Sequence, residues 1–330
     1  QGVILDEVHR APDLPSYIQG MVDEDPTPGR FILTGSHNFL LLGSVTQSMA
    51  GRTTLIDLLP LDLEEIRRFP DPPGELDGVL QSGGYPRIHE RRLDPSEWLD
   101  AYVATYVERD VRALLNIGDL SAFQVFLRLC AGRVGQLLNL SSLAAECGIA
   151  QPTARRWLSV LEASFIVFRL LPFHANFGKR LIKTPKLYFY DSGLAAVLIG
   201  ITHAAQLATH PLRGALFESW VVSEIVKQYR HRAIRPRLSF YHERGRLEID
   251  LVIEEGADLV AVEVKSARTP SASHYAAFPT FESRLRERRD GRWQLREKVV
   301  VFGGDESQLR TSGRLVAWGD LPELARERGG

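Results

Sequence analysis

Short apolar runs that end in polar side chains mark the first 38 residues. Residues 3–5 (VIL) precede Asp6 and Glu7, and residues 31–33 (FIL) precede the polar stretch 34–38. A continuous apolar run is typical of a parallel strand covered on both faces, and ligands collect at the carboxyl ends of such strands. Between the two runs, residues 11–25 follow helical spacing after a proline-rich start. The pattern predicts a strand–helix–strand unit.

Helical spacing continues through the middle of the chain. Apolar residues recur at helical intervals over 95–115 and over 121–138. Ser141 or Ser142 can cap a short helix, Gly148 makes a turn, and a second helix opens at 151. The β-rich stretches 165–168 and 188–190 then flank a basic loop. This succession predicts a helix-turn-helix with a two-stranded wing, which is the arrangement of a winged helix.

The hydrophobic pattern of the last third of the chain predicts one helix followed by several strands. A helix is predicted from residue 213, followed by strands at 238–241, 248–253 and 259–265. In the last of these strands Glu263 and Lys265 share one face, because side chains alternate along a strand. Burying either charge unpaired is expensive, so their presence in an apolar strand needs a reason. Residues 298–302 and 315–318 are predicted to close the sheet.

Composition makes this a globular chain of two or three domains. It has 330 residues and a formal net charge of -1, with 44% hydrophobic and 25% charged residues. Two cysteines cannot form a disulfide framework, which fits a reducing compartment. The sequence has neither an apolar run of about 18 residues nor a signal-peptide pattern, so we expect a cytoplasmic protein without a membrane partner.

The overall charge hides two segments of opposite sign. Residues 1–66 carry three basic and ten acidic residues, whereas residues 151–190 carry seven basic residues and one acid. The basic segment predicts DNA as a partner. The candidate contacts are Gln151, Thr153, Arg155 and Arg156 on the second helix, with Lys179, Arg180 and Lys183 in the wing. Winged helices also dock proteins or serve as spacers, so a packing role stays open.

Motifs in the acidic segment resemble the second half of a bacterial and archaeal AAA-type ATPase. The resemblance rests on residues 3–10 (VILDEVHR), 33–36 (LTGS), 50–52 (AGR), 60–66 (PLDLEEI) and 83–86 (GGYP). It implies Asp6 near Mg²⁺, Glu7 as the catalytic carboxylate, Thr34 or Ser36 as the γ-phosphate sensor and Arg52 as an arginine finger. A plain strand followed by an acidic turn is the alternative interpretation of Asp6 and Glu7.

The phosphate-binding loop of that family, G-x-x-x-x-G-K-[ST], is absent from the sequence. We therefore expect a truncated ATPase half that binds ATP only if the missing loop is supplied. Its AAA-type part implies a homo-oligomer as a further partnership.

The carboxyl-terminal pattern resembles the PD-(D/E)XK nuclease superfamily. The resemblance rests on Glu218, Asp250 and the Glu263-x-Lys265 tripeptide. It implies that Asp250 and Glu263 hold Mg²⁺ or Mn²⁺ and that Lys265 orients or deprotonates water, or stabilises phosphoryl charge. Glu218 would complete the metal shell or relay a proton. The alternative is an inherited fold in which these residues form a structural or interaction cluster.

Together these patterns predict a multidomain chain of α/β plus α+β class. Its parts are an ATPase half at residues 1–80, a helical lid and winged helix at 81–195, and a PD-(D/E)XK-like α/β/α domain at 196–330. The predicted function is action on DNA through the winged helix and a metal-dependent nuclease-like domain, with catalysis left open. The alternatives are a non-catalytic DNA- or protein-binding regulator and a structural subunit of an AAA-type oligomer.

Overall fold

The computed structural model describes residues 2–35, 49–107, 120–173, 184–243, 245, 247–287 and 292–326. The helices are α1 (Leu14–Glu24), α2 (Leu63–Ile66), α3 (Leu76–Ser82), α4 (Pro86–Arg91), α5 (Pro95–Tyr102), α6 (Leu120–Ala131), α7 (Leu140–Glu146), α8 (Gln151–Ala163), α9 (Ser192–Leu198), α10 (Arg213–Arg230), α11 (Ala277–Arg286) and α12 (Leu321–Arg326). The strands are β1 (Val3–Leu5), β2 (Phe31–Leu33), β3 (Val167–Pro172), β4 (Lys186–Phe189), β5 (Leu238–Glu243), β6 (Leu247–Glu255), β7 (Asp258–Lys265), β8 (Gln294–Phe302), β9 (Gln308–Arg310) and β10 (Gly313–Ala317).

The first two strands form a small parallel sheet, as the strand–helix–strand pattern predicts. Leu5 is in register with Leu33, and Ile18 of α1 packs with Met49 against one face. The other face is exposed, with Ile4 70% and Ile32 54% accessible. The expectation that these strands are covered on both faces is wrong for the described residues, because α1 packs against one side alone.

The other eight strands form one mixed sheet in the order β4-β3-β5-β6-β7-β8-β10-β9. The centre is the antiparallel hairpin β6–β7, continued by β8, which runs parallel to β7. Strands β3 and β4 join its edge, because Leu171 and Pro172 pair in parallel with Ser239 and Phe240 of β5. The fold is therefore a mixed α/β multidomain one. The sheet is continuous across the predicted boundary at residue 195, and the predicted domain limits stay a prediction.

Helices cover both faces of this sheet. The side chains of α10 join the large core on one face, where Trp220 and Val222 lie in the same cluster as Val262 of β7. On the other face Phe278 and Phe281 of α11 join Ala261 of β7 and Val300 of β8. This layering buries the middle of the sheet from both sides, so polar side chains there must find partners.

The predicted helix-turn-helix elements lie at the expected positions. Asn139 caps α7 by accepting a hydrogen bond from the Ser142 backbone N–H, and Gly148 turns the chain with a φ of 66°. Helix α8 begins at Gln151 and packs Trp157 edge-on against Phe123 and Phe126 of α6. Strands β3 and β4 follow as an antiparallel pair. The assignment of these elements as a winged helix stays a prediction.

The carboxyl-terminal half of α10 holds the segment 57–63, and we call this group of contacts the α10 clamp. The Lys227 ammonium donates to Glu224 and to the Leu61 carbonyl at 3.0 Å each, and Glu224 accepts from the Leu63 N–H at 2.8 Å. The further contacts of the clamp are Arg230 with Asp57 and His231 with Asp62, each at 2.9 Å. The clamp therefore fixes the segment after the small sheet to the helix that covers the large one.

The His231–Asp62 contact has a defined pH range. The hydrogen bond to Asp62 raises the pKa of His231 above its ordinary 6.5, although burial and Lys227 oppose this. Burial disfavours the Asp62 carboxylate, but hydrogen bonds from His231 and the Glu65 N–H outweigh it and lower its pKa below 3.8. Both groups are therefore charged between about pH 4 and pH 6.5.

Replacing His231 with Gln is expected to lower the free energy of unfolding by up to about 1 kcal/mol at pH 5.5. The histidine stabilises the fold fully below its unfolded pKa, and this contribution is lost as pH rises through its folded pKa. The difference between wild type and His231→Gln should therefore shrink toward pH 8.5. Urea unfolding at both pH values measures it, and a difference that grows with pH would contradict the assignment.

No helix among the described residues is long and apolar enough to cross a membrane.

Candidate functional site

Asp250 lies where β6 and β7 pair at the centre of the large sheet. It precedes Leu251, which is in register with Val262, so Asp250 faces the next residue along β7, Glu263. The residue is 8% exposed, and its Oδ2 accepts a hydrogen bond of 2.7 Å from the Val264 N–H. Sequence-local hairpin pairing thus brings together two of the predicted metal ligands.

Glu263 and Lys265 complete this side of the site. The Lys265 Nζ lies 2.6 Å from Glu263 Oε2 and 3.5 Å from Asp250 Oδ2. The second oxygen of Glu263, Oε1, is buried and has no hydrogen-bond partner among the described residues. A buried carboxylate oxygen without a partner costs about 1–3 kcal/mol or more, so it is a position at which a ligand would be stabilised.

Glu218 lies on α10, and its hydrogen-bond partners come from outside the predicted set. Its Oε1 accepts hydrogen bonds from the Lys186 Nζ at 2.9 Å and from the Tyr188 hydroxyl at 2.6 Å. Lys186 also lies 2.6 Å from Glu248 Oε1. Both Lys186 and Tyr188 belong to β4, so the edge strand supplies half of the polar contacts of the site.

The carboxylates repel one another. Burial and the neighbouring Asp250 raise the pKa of Glu218 to about 7, although Lys186 and Tyr188 oppose the shift. Burial and Asp250 likewise raise the pKa of Glu263 to about 8, against the opposing effect of Lys265. A cluster of carboxylates whose ionisation is disfavoured in this way gains from an added positive charge.

The site favours the charged form of its two lysines, whereas it disfavours the charged form of Glu218 and Glu263. Burial disfavours the charged form of Lys265, but Asp250 and Glu263 outweigh it and raise its pKa. The pKa of Lys186 is also raised, because Glu218, Asp250 and Glu248 outweigh its burial. Both ammonium groups are therefore charged at neutral pH, and they do not remove the need of the carboxylates for a further cation.

The oxygens of Asp250 and Glu263 fit a hard divalent cation. Mg²⁺ is commonly held by one or two carboxylates and keeps several waters, so two ligands are sufficient. Among the described residues, the set of three ligand groups with atoms mutually within 4.8 Å is Asp62, Glu65 and His231. Glu218, Asp250 and Glu263 are therefore not a compact three-carboxylate centre among the described residues.

The Asp62–Glu65–His231 group belongs to the fold. Asp62 caps α2 by accepting from the Glu65 N–H at 2.9 Å, and Glu65 Oε2 accepts from the Asp62 N–H at 3.1 Å. His231 contacts the remaining Asp62 oxygen. These hydrogen bonds, together with the nearby Lys227 charge, explain the group as a helix cap within the α10 clamp.

A cleft of about 340 Å³ has Ser266, the residue after Lys265, in its lining, but none of the four carboxylates of the site. Its lining includes Arg213, which pairs with Asp77 at 2.9 Å and donates to the Ser266 carbonyl at 2.6 Å. It also includes Arg268, which pairs with Asp305 at 3.0 Å. Since both arginines already have partners, neither offers an unpaired positive charge to a ligand in the cleft.

Only some of the predicted nucleotide-site residues contact one another in the described part of the chain. The Thr34 hydroxyl donates to Asp6 Oδ1, so the two strand ends converge as predicted. Glu7 adopts a left-handed backbone, with φ 54°, and lies 3.3 Å from His9. Arg52 pairs with Asp23 through two hydrogen bonds, of 2.5 and 3.1 Å. Ser36 lies outside the described residues.

The predicted DNA contacts on α8 lie at its amino-terminal end. Arg155 and Arg156 are exposed, and within the described ranges neither has a carboxylate partner. Gln151 is also exposed and donates to the Ser141 hydroxyl at 3.1 Å, while Thr153 is half-buried. Lys179, Arg180 and Lys183 lie outside the residues that the structure describes.

Three residues of the site escaped the sequence analysis: Lys186, Tyr188 and Glu248. The sequence signal for Lys186 was a charged residue directly before the apolar run 187–190. In the structure Lys186 is the first residue of β4 and is 3% exposed. Glu248 offered less, since it alternates with buried Ile249 in the pattern of an ordinary half-exposed strand position.

Three domain families match successive parts of the chain. An AAA domain matches residues 1–67, the Domain of unknown function (DUF8612) matches 74–205 and the Domain of unknown function (DUF4143) matches 213–319. Uncharacterized proteins of Mycobacterium bovis and Mycobacterium tuberculosis are each 32% identical over 318 residues, covering 94% of this chain and 70% of the relative.

The α/β fold and the AAA match define an AAA-type ATPase-like protein, which confirms the resemblance drawn from residues 3–10 and 33–36. The chain belongs to the same family as these two mycobacterial proteins. In this chain the AAA match precedes the two further regions.

Proposed function

We propose that this AAA-type ATPase-like chain cleaves DNA phosphodiester bonds with Mg²⁺ or Mn²⁺ at the Asp250–Glu263–Lys265 site. The observation that carries the proposal is the buried, unpartnered Oε1 of Glu263, opposite Asp250 and next to an ammonium group. The sheet between α10 and α11 supports a PD-(D/E)XK-like α/β/α fold for this part of the chain.

Each residue of the site has a task in the proposed reaction. Asp250 and Glu263 would hold the divalent ion, which supplies positive charge to the phosphoryl oxygens and favours a hydroxide nucleophile. Lys265 lies within hydrogen-bond reach of both carboxylates, so it can orient the attacking water or stabilise charge on the phosphoryl group. Glu218, with the Tyr188 hydroxyl 2.6 Å away, is placed to relay a proton.

Metal-dependent cleavage by the full chain tests this proposal. Plasmid and single-stranded DNA are incubated with the protein in Mg²⁺, in Mn²⁺ or in EDTA. We expect nicking or degradation with either metal and none in EDTA. DNA that stays intact under all conditions, at protein concentrations that bind it, contradicts the proposal and leaves the non-catalytic alternative.

That alternative is a DNA-binding regulator in which the nuclease-like fold is a scaffold. It is favoured by the exposed, unpaired Arg155 and Arg156 at the start of α8, the position of base- and phosphate-contacting residues in a recognition helix. The proposed winged helix comprises α7, α8, β3 and β4, with the wing between the strands. Its DNA contact is compatible with cleavage as well as with regulation.

The double substitution Arg155→Glu/Arg156→Glu is expected to weaken binding to a labelled duplex at least about tenfold. It should also reduce the slope of log K against log salt by about 2, because each phosphate contact contributes roughly one counterion. Fluorescence anisotropy at several salt concentrations measures both. The matched control is Arg91→Glu/Arg92→Glu, which makes the same charge change at exposed arginines of another surface. Equal effects of the two double variants would refute a specific role for α8.

We also propose that the small parallel sheet takes part in nucleotide binding if a phosphate-binding loop is supplied. The contact between Thr34 and Asp6 supports this, since a sensor hydroxyl and a Mg²⁺-associated carboxylate belong side by side. Arg52 would serve as an arginine finger only after leaving Asp23. Assembly of several copies through this part belongs to the same proposal.

A further inference from the structure

A buried lysine sits among the carboxylates of the proposed site. Lys186 is 3% exposed, and its Nζ contacts Glu218 Oε1 at 2.9 Å and Glu248 Oε1 at 2.6 Å. The same ammonium lies 5.5 Å from the centre of the Phe240 ring. Two carboxylates and an aromatic face thus surround one positive charge in a buried position.

The carboxylates therefore divide into two groups with Asp250 between them. On one side Glu263 lies with Lys265, and Glu263 keeps a buried oxygen without a partner. On the other side Glu218 and Glu248 share Lys186, and Glu218 is further satisfied by the Tyr188 hydroxyl. The first group can accept another cation, whereas the cation position of the second is filled by the protein itself.

The charge count agrees with this division. When all four carboxylates are ionised, as a bound cation requires, Glu218, Glu248, Asp250 and Glu263 face the ammonium groups of Lys186 and Lys265. This leaves two negative charges, counting His242, 3.4 Å from Glu248, as neutral. One divalent ion neutralises two charges. A second divalent ion would leave two net positive charges on this buried group, which is unfavourable. Without Lys186 the group carries three negative charges, so one divalent ion leaves one of them uncompensated.

We infer that Lys186 takes the place of a second metal ion, so that the site binds one divalent ion, at Asp250 and Glu263. This inference rests on the proposed metal-dependent function. Lys186 is a positioning residue, because it acts through Glu218 and Glu248. It also connects the site to the proposed wing, since Lys186 is the first residue of β4.

Counting bound Mn²⁺ tests the inference without any measurement of activity. The full chain is titrated with Mn²⁺ alone, and free Mn²⁺ is followed by electron paramagnetic resonance. Wild type is expected to bind one ion per chain. Lys186→Met is expected to bind two, because Glu218 and Glu248 then present a cation position that lacks its ammonium. The matched control is Lys265→Met, the same change at the other lysine of the site, which should still bind one.

The outcomes separate the inference from the function on which it rests. Wild-type chain that binds two ions, or Lys186→Met chain that still binds one, overturns the inference and leaves the metal-dependent function standing. Wild-type chain that binds no Mn²⁺ overturns the proposed function, and the inference with it.

A second variant keeps the test decisive if Lys186→Met does not fold. The double substitution Lys186→Met/Glu218→Gln removes both members of the more buried of the two Lys186 contacts, so no unpaired Glu218 carboxylate remains, while Glu248 is partly exposed. This chain is expected to bind one Mn²⁺ with a Kd within about threefold of wild type, because Glu218 does not hold the ion at Asp250 and Glu263. Loss of that ion would mean that Glu218 is a ligand, which overturns the division of the site.

Discussion

The Asp250→Asn chain is expected to lose metal-dependent DNA cleavage by a factor on the order of 10³, because this one carboxylate serves both halves of the site. Asp250 raises the pKa values of Glu218 and of Glu263, so its charge acts on both. It also accepts the Val264 N–H, a role that the asparagine oxygen can keep. The substitution therefore removes a charge and a metal ligand with little change in shape.

Two measurements distinguish this loss of cleavage from a loss of the folded structure. Mn²⁺ affinity should fall together with cleavage, and the thermal unfolding midpoint should stay within a few degrees of wild type. The matched control is Asp258→Asn at the far end of β7, where the side chain is 41% exposed and 4.0 Å from Arg296. That chain should cleave like wild type. Full cleavage by Asp250→Asn, or equal losses in the two variants, would exclude Asp250 as a metal ligand.

Most of the site residues that the sequence predicted lie close together through local pairing, and Glu218 of α10 is the exception. Asp250, Glu263 and Lys265 lie within one hairpin, and strand alternation with a short turn is sufficient to bring them together. The same holds for Asp6 and Thr34, since a strand–helix–strand unit places two carboxyl ends at one edge. Such contacts depend on strand alternation and on short connections, and both can be recognised in the hydrophobic pattern of the sequence.

The remaining contacts depend on how distant segments pack. Lys186 reaches Glu218 because β3 pairs in parallel with β5 through two residue pairs, Leu171–Ser239 and Pro172–Phe240. No local pattern encodes that pairing. A polar residue in an apolar strand indicates that it needs a hydrogen-bond or charge partner. Which residue becomes that partner depends on the order of the strands in the sheet.

The α10 clamp was missed for the same reason. Glu224 and Lys227 lie one turn apart within the buried stretch 219–229 of α10, so the sequence indicates a mutual ion pair at most. Their backbone partners at Leu61 and Leu63 lie more than 160 residues away in the chain. The resemblance that includes residues 60–66 identified the segment but not its contacts.

Replacing Lys227 with Met is expected to lower the free energy of unfolding by about 3–5 kcal/mol, because it leaves the Glu224 carboxylate buried without its counter-charge. The two side chains are 3% and 2% exposed. Burial raises the pKa of Glu224, and Lys227 is the main opposing influence. The variant also loses the donor to the Leu61 carbonyl, so the segment 57–63 should detach from α10 first.

Two further variants assign this loss to the buried charge. Lys227→Met/Glu224→Gln should recover most of the stability, because the glutamine oxygen still accepts the Leu63 N–H and no charge remains buried. Lys298→Met removes a lysine whose partner, Glu282, is partly exposed, and should cost less than about 1 kcal/mol. Urea unfolding followed by tryptophan fluorescence compares all four chains. If the double variant were as unstable as Lys227→Met, the effect would come from lost packing along α10, and the clamp would act through shape instead of charge.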